Sequence, residues 1–331
     1  MNIGLILEPM CPKEQTDVDV FAEPLVFLAG PTAIGKTELA LGLAERYNGE
    51  IIGVDSMQIY KYMDIGTAKP TIAERARVAH HLVDYVRPDA PYSAATFVAD
   101  CRAAICDIRQ RGRVPFLVGG TGLYFSALQE GIFSMPEVGQ RVKDSLKQEL
   151  AAEGGRQRLY QELKACDPVS AARIHVNDSY RILRALEIYR TTGQTWSDFI
   201  AGHAEARRQA GKAGGKILKI GLTRNREELY RRINKRVEIM IEQGLLAEVQ
   251  NLLSMGFGPE LKPMQSLGYR HMLHYLNQSW SWSKALDLLA RDTRRYAKRQ
   301  FTWFKADKEI HWLHPGGWDE IMFKVGEFLQ G

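Results

Sequence analysis

Eight consecutive residues, Gly30-Pro31-Thr32-Ala33-Ile34-Gly35-Lys36-Thr37, have the types and spacing needed to hold linked phosphates. Glycines let the backbone curl so that its N–H groups converge, Lys36 brings a cation to the terminal phosphate, and the Thr37 hydroxyl can ligate Mg²⁺. The loop follows the apolar run Leu25 to Ala29 and precedes Leu39, Ala40, Leu43, Ala44 and Tyr47 at helical spacing. Strand, loop and helix therefore come in the order the motif requires, which an incidental lysine in a glycine-rich turn would not provide. The expected ligand is a diphosphate or triphosphate; its fate must be read elsewhere.

Two further segments could act on it. Ile51-Ile52-Gly53-Val54 reads as a buried strand and runs into Asp55-Ser56-Met57-Gln58-Ile59-Tyr60. A carboxylate at a strand end beside a phosphate loop is a metal ligand or a general base, and capping the next helix is its structural alternative. Asp64 to Pro70 follows, turn-rich, with Lys69 a candidate for the same crevice. Val114 to Val118 ends on Gly119-Gly120-Thr121-Gly122-Leu123-Tyr124, where glycines permit close approach of a ligand and Thr121 offers a hydroxyl; a tight turn is the plain alternative.

The elements that must position these residues alternate. Apolar runs at 25–29, 51–54, 114–118, 217–222 and 310–313 are separated by helical patterns. This predicts an α/β fold: a P-loop NTPase-like parallel sheet with helices on both faces and ligands at the carboxyl ends of the strands. From about Gln140 to Gly215 the strand signal vanishes, so residues 140–215 are expected to be an inserted helical domain, closed by the loose stretch Ala210 to Gly215. Residues 21–139 and 216–331 then form the core, and residues 1–20, with Pro9, Pro12 and no periodicity, a loosely held leader.

Composition narrows the class. With 331 residues, 45% hydrophobic and 25% charged, the chain can bury a large core, and no apolar stretch approaches the ~20 residues that span a bilayer. No membrane association and a cytoplasmic location are expected. Cys11, Cys101, Cys106 and Cys166 lack metal-site spacing, so reduced thiols are expected. A net charge of +5 favours a polyanionic partner. Arg291, Arg294, Arg295, Lys298 and Arg299 would form one basic stripe on a helix, with Asp287 and Asp292 too few to balance it, and Arg181 and Arg184 would share another helical face. Arg232 and Arg236, four apart, are candidates for reaching the phosphates, with salt bridges to Glu228 and Glu238 the alternative. His80-His81 reads as packing or loop hydrogen bonding, and Trp280 and Trp282 as core or rim.

These motifs, in their order, resemble the bacterial tRNA dimethylallyltransferase (IPP transferase) family. The likeness runs through Gly30–Thr37, Asp55–Tyr60, Asp64–Pro70, His80-His81, Tyr92-Ser93-Ala94-Ala95 and Gly119–Tyr124. It continues through Asp167-Pro168, Arg173-Ile174-His175, Asn177-Asp178, Arg181, Arg184–Glu187, Gln265–Arg270 and Lys298–Trp303. The resemblance implies transfer of a dimethylallyl group from its diphosphate to N6 of adenosine 37 beside the tRNA anticodon. It implies Asp55 as general base, Thr121 as a hydrogen-bonding partner near the reacting centre, and Lys36 and Thr37 as handlers of diphosphate and Mg²⁺. The tRNA anticodon stem-loop is expected to meet Asp55, Ser56, Met57, Gln58, Thr121 and Lys143, then Tyr180, Arg181, Ile182, Leu183 and Arg184. It is also expected to meet Gln265, Ser266, Leu267, Gly268, Tyr269 and Arg270, and finally Lys298, Arg299, Gln300, Phe301, Thr302, Trp303, Phe304 and Lys305. The enzyme would act as a monomer without an obligate protein partner. Departures are Tyr62, where relatives usually have glycine, and Lys143, where an RNA-facing arginine is common and Arg141 could substitute. No Cys/His cluster follows Arg299, so the zinc finger of eukaryotic relatives has no counterpart.

Three other readings stay open on the residues alone: a small-molecule kinase in which Asp55 activates a hydroxyl, prenyl transfer to free AMP, and a non-catalytic RNA-binding module. The helical insertion and basic stripe argue against the second, since a mononucleotide needs neither. The phosphate loop with Asp55 and Thr121 at neighbouring strand ends argues against the third.

Overall fold

Five apolar runs too short for helices, joined by the edge pair His80-His81, become six strands, all paired in parallel, and parallel pairing forces each connection to cross over the sheet. The structure, a computed structural model, describes residues 19–131, 137–210 and 216–330. The chain forms β1 (Leu25–Ala29), α1 (Lys36–Arg46), β2 (Gly49–Val54), α2 (Ile72–Arg77), β3 (His80–His81), α3 (Ala94–Gln110), β4 (Val114–Gly119) and α4 (Gly122–Glu130). Five helices follow: α5 (Gln140–Ala151), α6 (Gly155–Cys166), α7 (Pro168–Arg173), α8 (Ser179–Thr192) and α9 (Trp196–Ala210). The sheet then resumes with β5 (Ile217–Leu222), α10 (Arg226–Glu242), α11 (Leu245–Ser254), α12 (Tyr269–Leu276), α13 (Trp282–Phe304), β6 (His311–Leu313) and α14 (Trp318–Gln330).

The strand order is β3-β2-β4-β1-β5-β6, so β1 lies inside the sheet with Phe27 opposite Leu117 of β4 and Lys219 of β5. Every residue of β1 is buried, and its alternation sends Leu25, Phe27 and Ala29 into one core and Val26 and Leu28 into another. The first core takes Phe97, Tyr124, Phe125 and Phe304, and the second takes Leu39, Leu43 and Phe116. Helices on both faces thus hold a double-sided sheet, as the runs of apolar residues require.

The chain divides into two units, residues 1–129 with 214–331, and residues 130–213. The second is built around Leu146, Leu159, Leu163, Ile182 and Leu186, and Arg190 ties its helices by pairing with Glu149 at 2.6 Å and Glu162 at 2.6 Å.

Two expectations need correction, and a third falls largely outside the described residues. The leader cannot extend to residue 20, because Val20 and Phe21 are buried and the Arg109 guanidinium donates to the Val20 carbonyl at 2.8 Å; residues 1–18 lie outside the described residues. His80-His81 is not a loop but an edge strand paired with Ile51 and Ile52, and His81 Nε2 lies 2.6 Å from the buried Glu50 carboxylate. A two-residue strand is too short to carry a period, which is why pattern alone missed it. Of the loose stretch closing the insertion, residues 211–215 lie outside the described residues.

Candidate active site

The phosphate loop forms where β1 stops. Gly30 has φ 157°, Ala33 φ 63° and Gly35 φ 110°, and α1 begins at Lys36, so the loop curls over a helix N-terminus. At Gly35 the left-handed backbone, rather than crowding, demands glycine. Lys36 Nζ donates to the carbonyls of Gly30 at 3.0 Å and Pro31 at 2.8 Å. The loop is braced from outside: Arg224 Nε donates to Ile34 O at 2.9 Å, Arg232 Nε donates to Ala33 O at 2.9 Å, and Gln300 Oε1 accepts from Thr32 N at 2.9 Å.

Facing it, Asp55 leaves the end of β2. Its Oδ1 accepts from the backbone of Met57 at 2.9 Å and Gln58 at 3.3 Å, so the carboxylate also holds the turn that it begins. Burial pushes the Asp55 carboxyl above the usual carboxylate range, against the opposing pull of those two N–H groups and of Lys36 and Arg236. Burial also lowers the Lys36 ammonium to about 8, an effect the neighbouring Arg236 reinforces and Asp55 opposes. Arg236 itself is lowered, chiefly by burial. Thr121 Oγ1 accepts from Ser56 N at 3.1 Å, and Thr121 N donates to Val54 O at 3.2 Å, so this residue ties the ends of β2 and β4 while keeping its O–H to donate. Gln58 Nε2 donates to the carbonyls of Thr67 at 3.2 Å and Ala68 at 3.0 Å, which leaves its oxygen as the group it can offer.

Both halves open on one cavity of about 610 Å³. Thr32 to Thr37, Arg232, Arg236 and Arg299 supply a cationic wall, Asp55 to Gln58 and Ser266 to Gly268 line another part, and Ile51, Val83, Val118, Val237, Met240 and Leu289 make the lining partly apolar. The alternative partners of Arg232 and Arg236 are taken: Glu228 pairs with Arg224, and Glu238 with Lys235 at 3.1 Å. Among the described residues no cluster of three or more His, Cys, Asp or Glu forms a metal cage. The exposed Thr37 hydroxyl in the cavity wall still suits Mg²⁺ that arrives on a diphosphate, because that ion takes few protein ligands when phosphates and water supply the rest.

Several candidate contacts take other roles. Lys69 is buried, and its ammonium is used by Tyr60 O at 2.7 Å, Asp64 at 2.5 Å and Asp84 at 2.8 Å, so it does not line the crevice. The side chains of Ile182, Tyr269, Gln300 and Phe304 are buried and are corrected from RNA contacts to internal supports. Tyr269 lies against Gly66, where a Cβ would come within 2.4 Å of its ring, and donates its hydroxyl to Glu248 at 2.6 Å. Glu248 also accepts from the backbone of Asp64, Ile65 and Gly66 at 2.9, 2.8 and 3.1 Å, anchoring the loop that orients Gln58. Leu183 and Phe301 are half-buried, the latter 5.9 Å from the Trp312 ring. Gln265 donates to Pro259 O.

The glycines at the end of β4 are required by the protein's own packing. A Cβ at Gly119 would sit 2.0 Å from Val54 O, at Gly120 2.2 Å from Gln300 Nε2, and at Gly122 2.1 Å from Trp303.

The basic stripe is also less free than its sequence suggests. Asp292 draws in Arg291 at 3.0 Å, Arg270 at 2.9 Å and Arg295 at 3.8 Å, and Arg294 donates to Asn234 at 2.6 Å. Lys298, Arg299, Thr302, Trp303 and Lys305 remain exposed on the last turns of α13, and among the described residues Lys298 and Arg299 have no carboxylate partner within 4 Å. In the helical unit Tyr180 is exposed, Lys143 is half-exposed on α5, Arg181 pairs with Asp178, and Arg184 pairs with Glu187 at 3.0 Å.

Reasoning from sequence missed Arg224, Glu248 and the bracing role of Gln300. Arg224 stands two residues after a strand end, a position that could have drawn attention. Glu248 lies on an ordinary helical pattern and carries no such signal.

A parallel sheet with a phosphate loop at the end of an interior strand, and a cationic cavity with the carboxylate of Asp55 at the neighbouring strand end, defines a P-loop α/β protein built for a phosphorylated ligand. A family model described as IPP transferase matches residues 58–307, and one described as isopentenyl transferase matches residues 24–84. The tRNA dimethylallyltransferase 2 of Geotalea uraniireducens is 50% identical over 306 residues, covering 92% of this chain and 97% of its own. The crystal structure of the full-length tRNA isopentenylpyrophosphate transferase of Bacillus halodurans superposes with a TM-score of 0.68 at 38% identity, over 93% of this chain and 97% of that one. A eukaryotic dimethylallyltransferase acting on tRNA gives a TM-score of 0.71 at 30% identity, over 90% and 76% respectively. The chain belongs to the IPP transferase family.

Proposed function

We propose that this protein transfers a dimethylallyl group from dimethylallyl diphosphate to N6 of adenosine 37 beside the anticodon of tRNA, releasing diphosphate. The observation that carries the reading is the meeting of Lys36 and Arg236 with Asp55 in one partly apolar cavity. Cations suit the departing diphosphate, the carboxylate suits the amine, and the apolar lining suits the hydrocarbon.

The loop amides, Lys36, Arg232 and Arg236 bind the diphosphate and stabilise the charge that gathers on it as the allylic C–O bond breaks. Thr37 would hold Mg²⁺, which when bound adds charge neutralisation at the same oxygens. An exocyclic amine is a weak nucleophile until it sheds a proton, and Asp55 takes that proton; its raised pKa makes it a stronger base than an ordinary carboxylate. The Thr121 hydroxyl and the Gln58 oxygen orient the acceptor base. Lys298 and Arg299 hold phosphates of the anticodon stem, with Lys143 available to its other parts. Single-stranded loop bases can be splayed out and read at their edges, so no groove is needed. On this reading the enzyme meets tRNA in the cytoplasm as a monomer; among the described residues no helix is long and apolar enough to cross a membrane.

The test is incubation with dimethylallyl diphosphate and unmodified tRNA, followed by nucleoside mass analysis. Dimethylallyl-adenosine at one loop position is expected, without ATP. Production of ADP from ATP, or modification of free AMP in place of tRNA, would overturn the proposal.

A further inference from the structure

Gln300 lies on α13, buried, with its side chain between the two halves of the site. Its Oε1 accepts from Thr32 N in the phosphate loop at 2.9 Å, and its Nε2 donates to Gly120 O beside β4 at 2.9 Å. The orientation of the amide is dictated by its partners, since an N–H needs the oxygen and a carbonyl needs the nitrogen. From Gly120 the chain runs to Thr121, whose hydroxyl accepts from Ser56 N at 3.1 Å, next to Asp55. One buried amide therefore closes an unbroken path from the phosphate loop to the carboxylate. The fit leaves no slack: a Cβ at Gly120 would come within 2.2 Å of Gln300 Nε2.

We infer that Gln300 is a positioning residue that fixes the distance between the diphosphate-holding loop and the base-holding strand ends, and so the approach of acceptor to donor. The inference rests on the transfer reading above. It predicts a loss in turnover rather than in binding, because each half keeps its own ligand contacts while their mutual placement relaxes. Misplacement of about 1 Å typically costs on the order of a hundredfold in rate.

Three measurements on the full chain test it. Gln300→Leu keeps the bulk but neither hydrogen bond; turnover should fall between about tenfold and a hundredfold, with KM for dimethylallyl diphosphate and tRNA affinity within about threefold of the parent. Gln300→Glu retains the acceptor for Thr32 N but sets a carboxylate against Gly120 O, and only its protonated form restores a donor. Its turnover, divided by that of the parent at each pH, should rise as pH falls, a recovery that simple loss of packing would not show. Amide hydrogen exchange at Thr32 should be faster in Gln300→Leu than in the parent whether or not transfer is observed.

Parent-like turnover in Gln300→Leu, a flat pH ratio for Gln300→Glu, or unchanged exchange at Thr32 would each overturn the inference. If Gln300→Leu fails to fold, the pH dependence of the Gln300→Glu ratio decides. A parent protein that does not modify tRNA would instead refute the transfer reading, and the exchange measurement would still judge the brace.

Discussion

The arginines around the cavity and those on the outer faces of the helices differ in what surrounds them. Arg232 and Arg236 line the cavity, and among the described residues neither has a carboxylate within 4 Å. Arg181, Arg184, Arg190, Arg270 and Arg291 are each held by an aspartate or glutamate. The same residue type is available to a ligand in one region and committed to the fold in the other. Charge in a sequence counts as binding potential only after the pairs have been subtracted.

The largest effect should come from Asp55, the cavity carboxylate that meets Lys36 and Arg236. Asp55→Ala is expected to lower transfer by about a hundredfold to ten-thousandfold while tRNA binding stays within a few-fold, measured by single-turnover kinetics and filter binding. An active variant would remove the feature that distinguishes this wall of the cavity. Arg236→Ala should weaken competition by inorganic pyrophosphate about tenfold to a hundredfold, whereas Arg184→Gln should leave it unchanged. Equal responses would erase the contrast between free and committed arginines.

The pH dependence sharpens the same contrast. Asp55 works deprotonated, and burial raises its pKa, so activity should be lost on acidification at a higher pH than an ordinary carboxylate would give. Lys36 works protonated, and its ammonium is lowered to about 8, so pyrophosphate inhibition of the free enzyme should weaken as pH rises through about 8. An inhibition constant flat from pH 7 to about 9 would show that Lys36 does not set phosphate affinity.

Smaller differences should separate the two ends of α13. Removing Lys298 or Arg299 should flatten the salt dependence of tRNA binding by about one unit of slope each. Arg291→Gln should change it less, since Asp292 already neutralises that charge. The smallest effect is expected at Tyr269→Phe, which deletes one hydrogen bond to Glu248 and should cost about 1 kcal/mol in thermal unfolding with tRNA specificity intact. A change in anticodon-loop preference would restore Tyr269 as a reader of RNA.

The legible part of this molecule was its backbone logic. Five of six strands show as apolar runs, and Gly30 to Thr37 declares the phosphate loop because its chemistry depends on residues adjacent in sequence. What escaped depends on neighbours brought together only by folding. Gln300, Tyr269 and Phe304 sit in a basic, aromatic segment and on a turn that look fit for RNA, yet each faces inward. Gly119 and Gly120 look like room for a ligand and are instead filled by the Val54 carbonyl and the Gln300 amide. Tyr62 adopts φ 67°, a left-handed conformation that glycine takes at less cost; its ring stacks 6.0 Å from that of Phe257.

The interior position of β1 bears on how the protein assembles. Its partners, β4 and β5, are remote in sequence, and β5 follows the whole helical unit. Parallel pairings of this kind raise contact order and slow folding, because chain closure must be completed before the contacts repay it. The helices of residues 130–213 pack on one another within that one stretch of chain and can condense early, shortening the span that β1 and β5 must close. The phosphate loop hangs from the end of β1 and is braced by Arg224, Arg232 and Gln300, all encoded after β5 begins. A cradle that follows β1 is therefore finished only when the chain has been made through Gln300.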